Sequence, residues 1–173
     1  MAAENGDAPL IIAGDSAGGN MAAACTLRAR DGGGPQLVLQ VLVCPVVDHD
    51  MTTPSYRERG SGPDLFLTAD DMAWFWNLYA PDPSARSVAD ASPLRAEHLS
   101  NLPPAIVITA EYDPLRDDAR GYADALRAAG VQVETRHYDD QSHLFFSMPE
   151  ILEGARDAIE AAGSFLRDRF DEA

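Results

Sequence analysis

The chain has 173 residues, of which 46% are apolar, and its formal net charge at pH 7 is −15. This length and composition predict a single folded domain spanning residues 1–173 and exclude a disordered chain. The negative charge argues against nucleic acid or an anionic membrane as a partner. No stretch is apolar enough to span a bilayer, and residues 1–7 lack the basic start and apolar block of a signal peptide, so we expect a cytoplasmic protein.

The first predicted element is a strand over residues 10–13, which is apolar without alternation, as in a parallel sheet. A helix over residues 16–30 follows and ends at the glycine triplet 32–34. The Val- and Leu-rich residues 36–44 predict the second strand. A strand–helix–strand order predicts parallel pairing with a right-handed crossover.

An irregular polar segment begins after Pro45, and a helix follows it. Thr68 is predicted as the N-cap of this helix, with Asp71 completing a capping box. The helix carries aromatic and other large apolar residues almost all round: Met72, Trp74, Phe75, Trp76, Leu78 and Tyr79. It therefore either packs on two sides or lines an apolar pocket.

The rest of the chain again alternates strands and helices. The predicted elements are a buried strand over 105–110, a helix over 115–129, a strand over 131–138, a loop over 139–146 and a last helix from 147–150 to about 170. The whole order is typical of an open α/β sheet of about four parallel strands with flanking helices. In such sheets the reactive residues gather at the carboxyl ends of the strands.

The segment Gly14-Asp15-Ser16-Ala17-Gly18 connects the first strand to the first helix. A Gly-x-Ser-x-Gly motif in this setting is typical of a nucleophile elbow, which exposes the serine hydroxyl above the sheet. Gly14 and Gly18 are predicted to keep side-chain bulk away where strand and helix cross. The N–H of Ala17 is predicted to face an oxyanion formed on substrate. The alternative is a glycine-rich turn with an incidental serine.

A nucleophilic serine needs a base and an acid that orients the base. His49 and His143 follow predicted strands, and so do Asp48 and Asp113. The chain order Ser, Asp, His of hydrolases with this type of sheet selects Ser16, Asp113 and His143. Asp48 stays open as an alternative acid.

Other candidate groups receive no chemical role. Cys25 and Cys44 fit no metal-ligand spacing and are predicted to be small buried residues. Asp117 and Asp118 are predicted to complement the dipole of their helix. The glycine triplet 32–34 lies at the amino end of the second strand, away from Ser16. No metal or other cofactor is indicated.

Together these segments resemble the hormone-sensitive-lipase-like esterases of the α/β-hydrolase fold. The resemblance rests on Gly14-Asp15-Ser16-Ala17-Gly18-Gly19-Asn20, on Leu102-Pro103-Pro104, on Glu111-Tyr112-Asp113-Pro114-Leu115-Arg116-Asp117, on Ser55-Tyr56 and on His143. It implies a carboxylesterase with Ser16 as nucleophile, His143 as base and Asp113 as orienting acid. It also implies short acyl esters as substrates and an insert at about 46–80 that contributes to a cap over the acyl pocket.

The sequence departs from the family pattern in two places. The family usually has glycine after the catalytic histidine, where this chain has Leu144. Family members also carry the first half of the sheet, most of the cap and a His-Gly-Gly-Gly oxyanion loop before the elbow. We therefore expect this sequence to represent the carboxyl-terminal half of the fold, with one edge of the strand over 10–13 bare and Ala17 as its main oxyanion donor.

These observations predict a hydrolase of short-chain acyl esters that works through a Ser-His-Asp acyl-enzyme mechanism. The alternative is a truncated, inactive remnant that acts as a binding or self-associating module. A further alternative keeps the triad but acts on peptides, thioesters or amides. The expected partners are a small-molecule ester and either a second copy of the chain or a complementing amino-terminal half.

Overall fold

Four parallel strands form one sheet in the order β1-β2-β3-β4, in a computed structural model that describes residues 9–63 and 65–170. The strands are β1 (Leu10–Asp15), β2 (Leu37–Val43), β3 (Ala105–Tyr112) and β4 (Val133–Ser142). This confirms the predicted parallel α/β architecture. The amino-terminal segment on which the signal-peptide prediction rests lies outside the described residues.

The register of the sheet places the carboxyl ends of β1, β2 and β3 side by side. Asp15 is paired with Val43, and Val43 is paired with Ile108. The residues that follow these strands therefore emerge at one common edge of the sheet. β1 pairs with β2 on one side, and β4 pairs with β3 on the other.

Helices cover both faces of the sheet. They are α1 (Ala17–Gly32), α2 (Pro54–Arg59), α3 (Ala69–Tyr79), α4 (Pro83–Arg86), α5 (Arg116–Ala128) and α6 (Glu153–Phe170), with 3-10 turns at Pro93–Arg95 and Phe145–Ser147. Successive strand residues point to opposite faces, so Leu42 and Val107 join α1 and α5 in one core, and Val43 and Ile108 join α6 in another. A third cluster joins α2 and α3 through Tyr56.

Two predicted helix ends are confirmed in detail. Thr68 and Asp71 form the capping box at the start of α3. Gly33 closes α1 in the left-handed conformation, with φ 64°, and the glycine triplet leads into the amino end of β2. Among the described residues, no helix is both long enough and apolar enough to cross a membrane.

Other boundaries differ from the prediction. β4 continues to Ser142 because Ser142 pairs with Tyr112 of β3, although the polar residues before it resemble a loop. α6 begins at Glu153, after a turn in which the Met148 carbonyl accepts from Leu152 N–H. α2 lies within the segment predicted to be irregular.

The prediction that both cysteines are buried is right for Cys44 and wrong for Cys25, which is exposed. Cys25 lies four residues after Met21 on the same side of α1, and Met21 is 59% exposed. The sheet-facing side of α1 is instead formed by Ala22, Ala23 and Leu27. The helix period therefore puts Cys25 on the outer side.

Candidate active site

Ser16 lies in the turn between β1 and α1, with a strained backbone (φ 58°, ψ −117°). Its N–H donates to the Val43 carbonyl at 2.9 Å, and its carbonyl accepts from the N–H groups of Asn20 at 3.1 Å and Val46 at 3.2 Å. A backbone conformation of this kind persists only where the surrounding structure fixes it. The turn is therefore locked to β2 and to α1 at once, which is what a nucleophile elbow requires.

Glycine is required in this turn because of close contacts. A Cβ on Gly14 would lie 2.0 Å from the Gly18 carbonyl oxygen, and a Cβ on Gly19 would lie 2.7 Å from Cβ of Pro45. A Cβ on Gly18 would meet nothing within 4 Å. The prediction for Gly14 is confirmed, whereas that for Gly18 is wrong, and Gly19 makes the second close approach instead.

The structure brings the three predicted site residues into one hydrogen-bonded line. Nε2 of His143 is 2.9 Å from Oγ of Ser16, and Nδ1 of His143 is 2.8 Å from Oδ2 of Asp113. Asp113 is 0% exposed and His143 is 2% exposed. The carboxylate thus holds the Nδ1–H tautomer and leaves Nε2 to accept the serine proton.

The second oxygen of Asp113 is also engaged. Its Oδ1 accepts the N–H of Leu115 at 2.9 Å. The same turn is held from α2, because Oγ of Ser55 donates to the Pro114 carbonyl at 2.7 Å and N–H of Ser55 donates to Asp117 at 2.8 Å. Ser55 is fully buried. The sequence alone did not indicate that Ser55 holds the turn after Asp113, because its partners lie about 60 residues away in sequence.

Asn20 is a second positioning residue that sequence reasoning did not single out. Its amide nitrogen donates to the carbonyls of Val46 and Ala91, both at 2.8 Å. These contacts fasten the first turn of α1 to two distant loops. An asparagine two residues after the Gly-x-Ser-x-Gly motif was the available signal, but it did not indicate these partners.

Ala17 is the first residue of α1 and borders the space in front of Ser16. None of the hydrogen bonds found among the described residues is donated by its N–H. The N–H groups of a first helical turn have no partner within the helix and lie at the positive end of its dipole. This N–H is therefore available for negative charge that develops next to Ser16.

An apolar cavity of about 480 Å³ opens in front of Ser16. Its walls come from α1, α3 and the segments that follow β2: Ser16, Ala17, Asn20, Met21, Val46, Leu67, Met72, Phe75, Trp76, Leu78 and Tyr79. Trp76 is buried, whereas Leu78 is 62% exposed. The pocket interpretation of the aromatic helix is thus confirmed, whereas packing on two sides is wrong, since only Met72 and Trp76 of α3 are buried against the core.

Comparisons with known proteins agree with this geometry. Residues 2–147 match the family model described as the alpha/beta hydrolase fold. The chain belongs to the α/β-hydrolase fold family. The chain is 40% identical over 161 residues to the carboxylesterase NlhH of Mycobacterium tuberculosis and 39% identical over 160 residues to an arylesterase of Saccharolobus solfataricus. Each of these two matches covers 91% of this chain and 50% of the relative.

A solved structure gives the same result for the fold. The hyperthermophilic esterase from the archaeon Pyrobaculum calidifontis matches with a TM-score of 0.87 and 42% identity, over 92% of this chain and 52% of that chain. Within the fold family, this similarity places the chain in the hormone-sensitive-lipase-like group. It spans about half the length of the curated relatives that it matches.

The backbone at Leu144 adopts a conformation that favours glycine. Leu144 has φ 69° and ψ 0°, the left-handed conformation that glycine adopts without a steric penalty. Leu144 does not line the cavity in front of Ser16 and is 39% exposed. The leucine therefore strains the loop after His143 but does not narrow the pocket.

The alternative acid Asp48 and its neighbour His49 lie in a different network. Oδ1 of Asp48 binds Nε of Arg95 at 2.5 Å. Nδ1 of His49 lies 3.2 Å from Asp48 and 3.3 Å from Ser92, whose hydroxyl already donates to the Arg86 carbonyl. Because both contacts use the same ring nitrogen, His49 does not form a relay. Among the described residues, no hydrogen bond joins Asp48 or His49 to Ser16.

The two aspartates at the start of α5 differ from each other. Asp117 binds Arg116 at 3.0 Å, in keeping with an ordinary charged residue. Asp118 is 3% exposed, and neither of its carboxylate oxygens has a partner among the described residues. Burial raises the pKa of Asp118 to about 8, and the negative charges of Asp48 and Asp113 add to this shift. The prediction that Asp118 complements the helix dipole as a charged group is therefore wrong.

Proposed function

We propose that this chain supplies the nucleophile, base and acid of a carboxylic-ester hydrolase. The observation that carries the proposal is the line from Oγ of Ser16 to Nε2 of His143, and from Nδ1 of His143 to Oδ2 of Asp113, with separations of 2.9 and 2.8 Å. The names of the relatives, carboxylesterase and arylesterase, support ester bonds as the target. Each element of the line lies at the same edge of the sheet, as the mechanism needs.

In the proposed mechanism, Nε2 of His143 takes the proton of Ser16 as Oγ attacks the ester carbonyl. Asp113 stabilises the imidazolium that forms and keeps its orientation. The imidazolium then protonates the leaving alcohol, which leaves an acyl group on Ser16. A water molecule, activated by the same base, releases the acid and regenerates the serine.

The oxyanion that forms during each attack lies next to the start of α1. Ala17 N–H is our proposed donor, since it borders the cavity and lies at the positive end of the helix. Removal of one such donor typically costs about 10²–10³ in rate, so we expect a further donor to raise the activity of this chain strongly.

The proposed substrates are esters of short acyl chains. A cavity of about 480 Å³ with apolar walls accepts a small hydrophobic group and offers no charged side chain to bind an ionic one. The segment at about 46–80, which contains α3, is proposed to contribute to the cap over this cavity. One edge of β1 pairs with no strand among the described residues, and Ile11 there is 38% exposed. This edge is the proposed pairing site for a complementing segment or a second copy of the chain.

Covalent labelling of Ser16 tests the proposal independently of substrate choice. A fluorophosphonate should label the folded chain at Ser16, and Ser16→Ala should abolish both labelling and turnover of p-nitrophenyl butyrate. Asp113→Asn should lower the rate by about 10⁴-fold, because the imidazole would then adopt the wrong tautomer.

Asp124→Asn is the matched control, since Asp124 lies on the exposed side of α5. It should leave the labelling rate unchanged. A folded chain that reacts no faster than Ser16→Ala would contradict the proposal and favour a catalytically inactive binding module.

A further inference from the structure

Cys44 lies beside the acid and the base, a position that the sequence did not reveal. One ligand atom from each of Cys44, Asp113 and His143 lies within 4.8 Å of the other two, and among the described residues no other such group of histidine, cysteine and acidic residues is found. The three side chains are 1%, 0% and 2% exposed, respectively. We call these three residues the thiol cluster.

The sheet itself builds this cluster. Cys44 follows Val43 at the end of β2, and its N–H donates to the Ile108 carbonyl of β3 at 2.8 Å. Cys44 has a φ of 40°, a value that non-glycine residues seldom adopt. The strand end is thus fixed to β3, the strand after which Asp113 follows, and the thiol is held among the triad residues.

We infer that the thiol cluster is an inhibitory binding site for a thiophilic divalent cation, with Zn²⁺ as the ion that fits its donor atoms. Thiolate sulfur, imidazole nitrogen and carboxylate oxygen are the ligands that Zn²⁺ takes in proteins, whereas Mg²⁺ and Ca²⁺ prefer oxygen alone. Zinc bond lengths of about 2.0–2.3 Å place neighbouring ligand atoms roughly 3.3–3.7 Å apart in a tetrahedral site. To reach this geometry, Nδ1 of His143 and Oδ2 of Asp113, now 2.8 Å apart, would separate by about 0.5 Å, and the Cys44 sulfur, within 4.8 Å of the other ligand atoms, would approach by at most about 1.5 Å.

Binding changes the protonation of the triad in a defined way. The ion bonds to Nδ1 of His143, so the proton on Nδ1 moves to Nε2, and the Cys44 thiol releases its proton to solvent. The charges of the thiolate and the Asp113 carboxylate then balance the charge of the ion. Nε2 now carries a hydrogen and cannot accept the proton of Ser16, so the nucleophile loses its base.

Without the ion, the thiol does not disturb the triad. Burial and the nearby Asp113 carboxylate raise the pKa of the Cys44 thiol well above its usual range. The thiol is therefore neutral near pH 7 and places no second negative charge beside Asp113. Because the ligands are buried, we expect the ion to bind slowly, with inhibition that develops over a preincubation.

Cys25 provides a matched control for any reaction of thiols. It is exposed on α1, and among the described residues it belongs to no cluster of metal-ligating side chains. A metal that binds thiols without regard to their surroundings would prefer this accessible residue.

Cadmium is the probe for binding, because a sulfur–cadmium bond gives an ultraviolet charge-transfer absorption. Titration of the reduced, folded chain with Cd²⁺ should give this absorption at one equivalent in the wild type and in Cys25→Ser, and none in Cys44→Ser. Circular dichroism checks the fold of each variant, and Cys44→Ala replaces Cys44→Ser if the serine variant does not fold. Absence of the absorption in the wild type, or its loss only in Cys25→Ser, would overturn the inference.

Zinc is the probe for the consequence at Ser16, and this part rests on the proposed function. Preincubation with Zn²⁺ should slow fluorophosphonate labelling at least about tenfold in the wild type and in Cys25→Ser, because the base is lost, and EDTA should restore it. In Cys44→Ser the rates with and without Zn²⁺ should agree, and equal slowing there would contradict the inference. If no variant is labelled even without Zn²⁺, the proposed function fails, while the cadmium titration still decides whether the site exists.

Discussion

The two sides of Ser16 differ in how firmly their residues are held. On one side, Asp113 and His143 are at most 2% exposed, and His143 forms hydrogen bonds with both Asp113 and Ser16. On the other side, Phe75 and Leu78 of α3 are 48% and 62% exposed. The first side lies at the carboxyl ends of β1, β3 and β4, which belong to one hydrogen-bonded sheet. The second side is α3, which rests on the core through a few buried residues.

The difference reflects what each side has to do. Proton transfer needs atoms held within a few tenths of an ångström, and the sheet supplies such positions. An apolar wall only needs bulk at the right place, so a helix with a single buried face is sufficient. Changes at the strand ends should therefore alter chemistry, and changes on the outer side of α3 should alter the pocket but not the fold.

The two tryptophans of α3 test this contrast within one helix, and we expect a large effect on stability here. Trp76 is 3% exposed and Trp74 is 58% exposed. Trp76→Ala should lower the free energy of unfolding by about 3–5 kcal/mol, because it leaves a cavity between α3 and the core. Trp74→Ala should change it by no more than about 0.5 kcal/mol. Urea denaturation measures both, and equal losses would show that the outer side of α3 also supports the fold.

Asp118, at the start of α5, differs from Asp113 and His143, because its carboxylate oxygens have no hydrogen-bond partner among the described residues. Its pKa is about 8 in the folded chain against a usual value of 3.8, so the folded state holds a proton that the unfolded state loses. Stability should therefore fall as the pH rises from about 4 to about 8. Asp118→Asn removes this charge and should gain about 5 kcal/mol relative to the wild type at pH 8, with little difference at pH 4.

Denaturation of both proteins across this pH range measures the effect. Asp124→Asn, on the exposed side of the same helix, should leave the pH dependence of the wild type in place. A difference between the wild type and Asp118→Asn that grows toward low pH would contradict the assignment of the raised pKa to Asp118.

Leu144 should give the smallest effect. Because its backbone is left-handed, with φ 69°, Leu144→Gly should raise the free energy of unfolding by about 0.5–1 kcal/mol. Ile151 is also exposed but has no positive φ, so Ile151→Gly should instead be mildly destabilising. Thermal melts of the two variants compare them directly. A loss of stability in Leu144→Gly would show that the side chain contributes more by packing than the backbone loses by strain.

Much of the candidate site could be predicted because its residues occupy the same local context in any open α/β sheet. A serine on a strand–turn–helix motif, an aspartate after the third strand and a histidine after the fourth follow from chain order. In polar segments the sequence was less informative about where an element begins or ends. β4 continues through the polar residues before Ser142, and α6 begins only at Glu153.

The sequence by itself determined which side chains reach the reactive edge of the sheet, since the carboxyl ends of parallel strands meet there. Only the tertiary structure decided what surrounds them. Gly19 rather than Gly18 meets Pro45, and Cys44 lies beside Asp113 and His143 while Cys25 faces outward. Asp118 lies buried with no hydrogen-bond partner in the described part of the chain. These outcomes depend on contacts between segments far apart in the chain, and local residue patterns do not encode them.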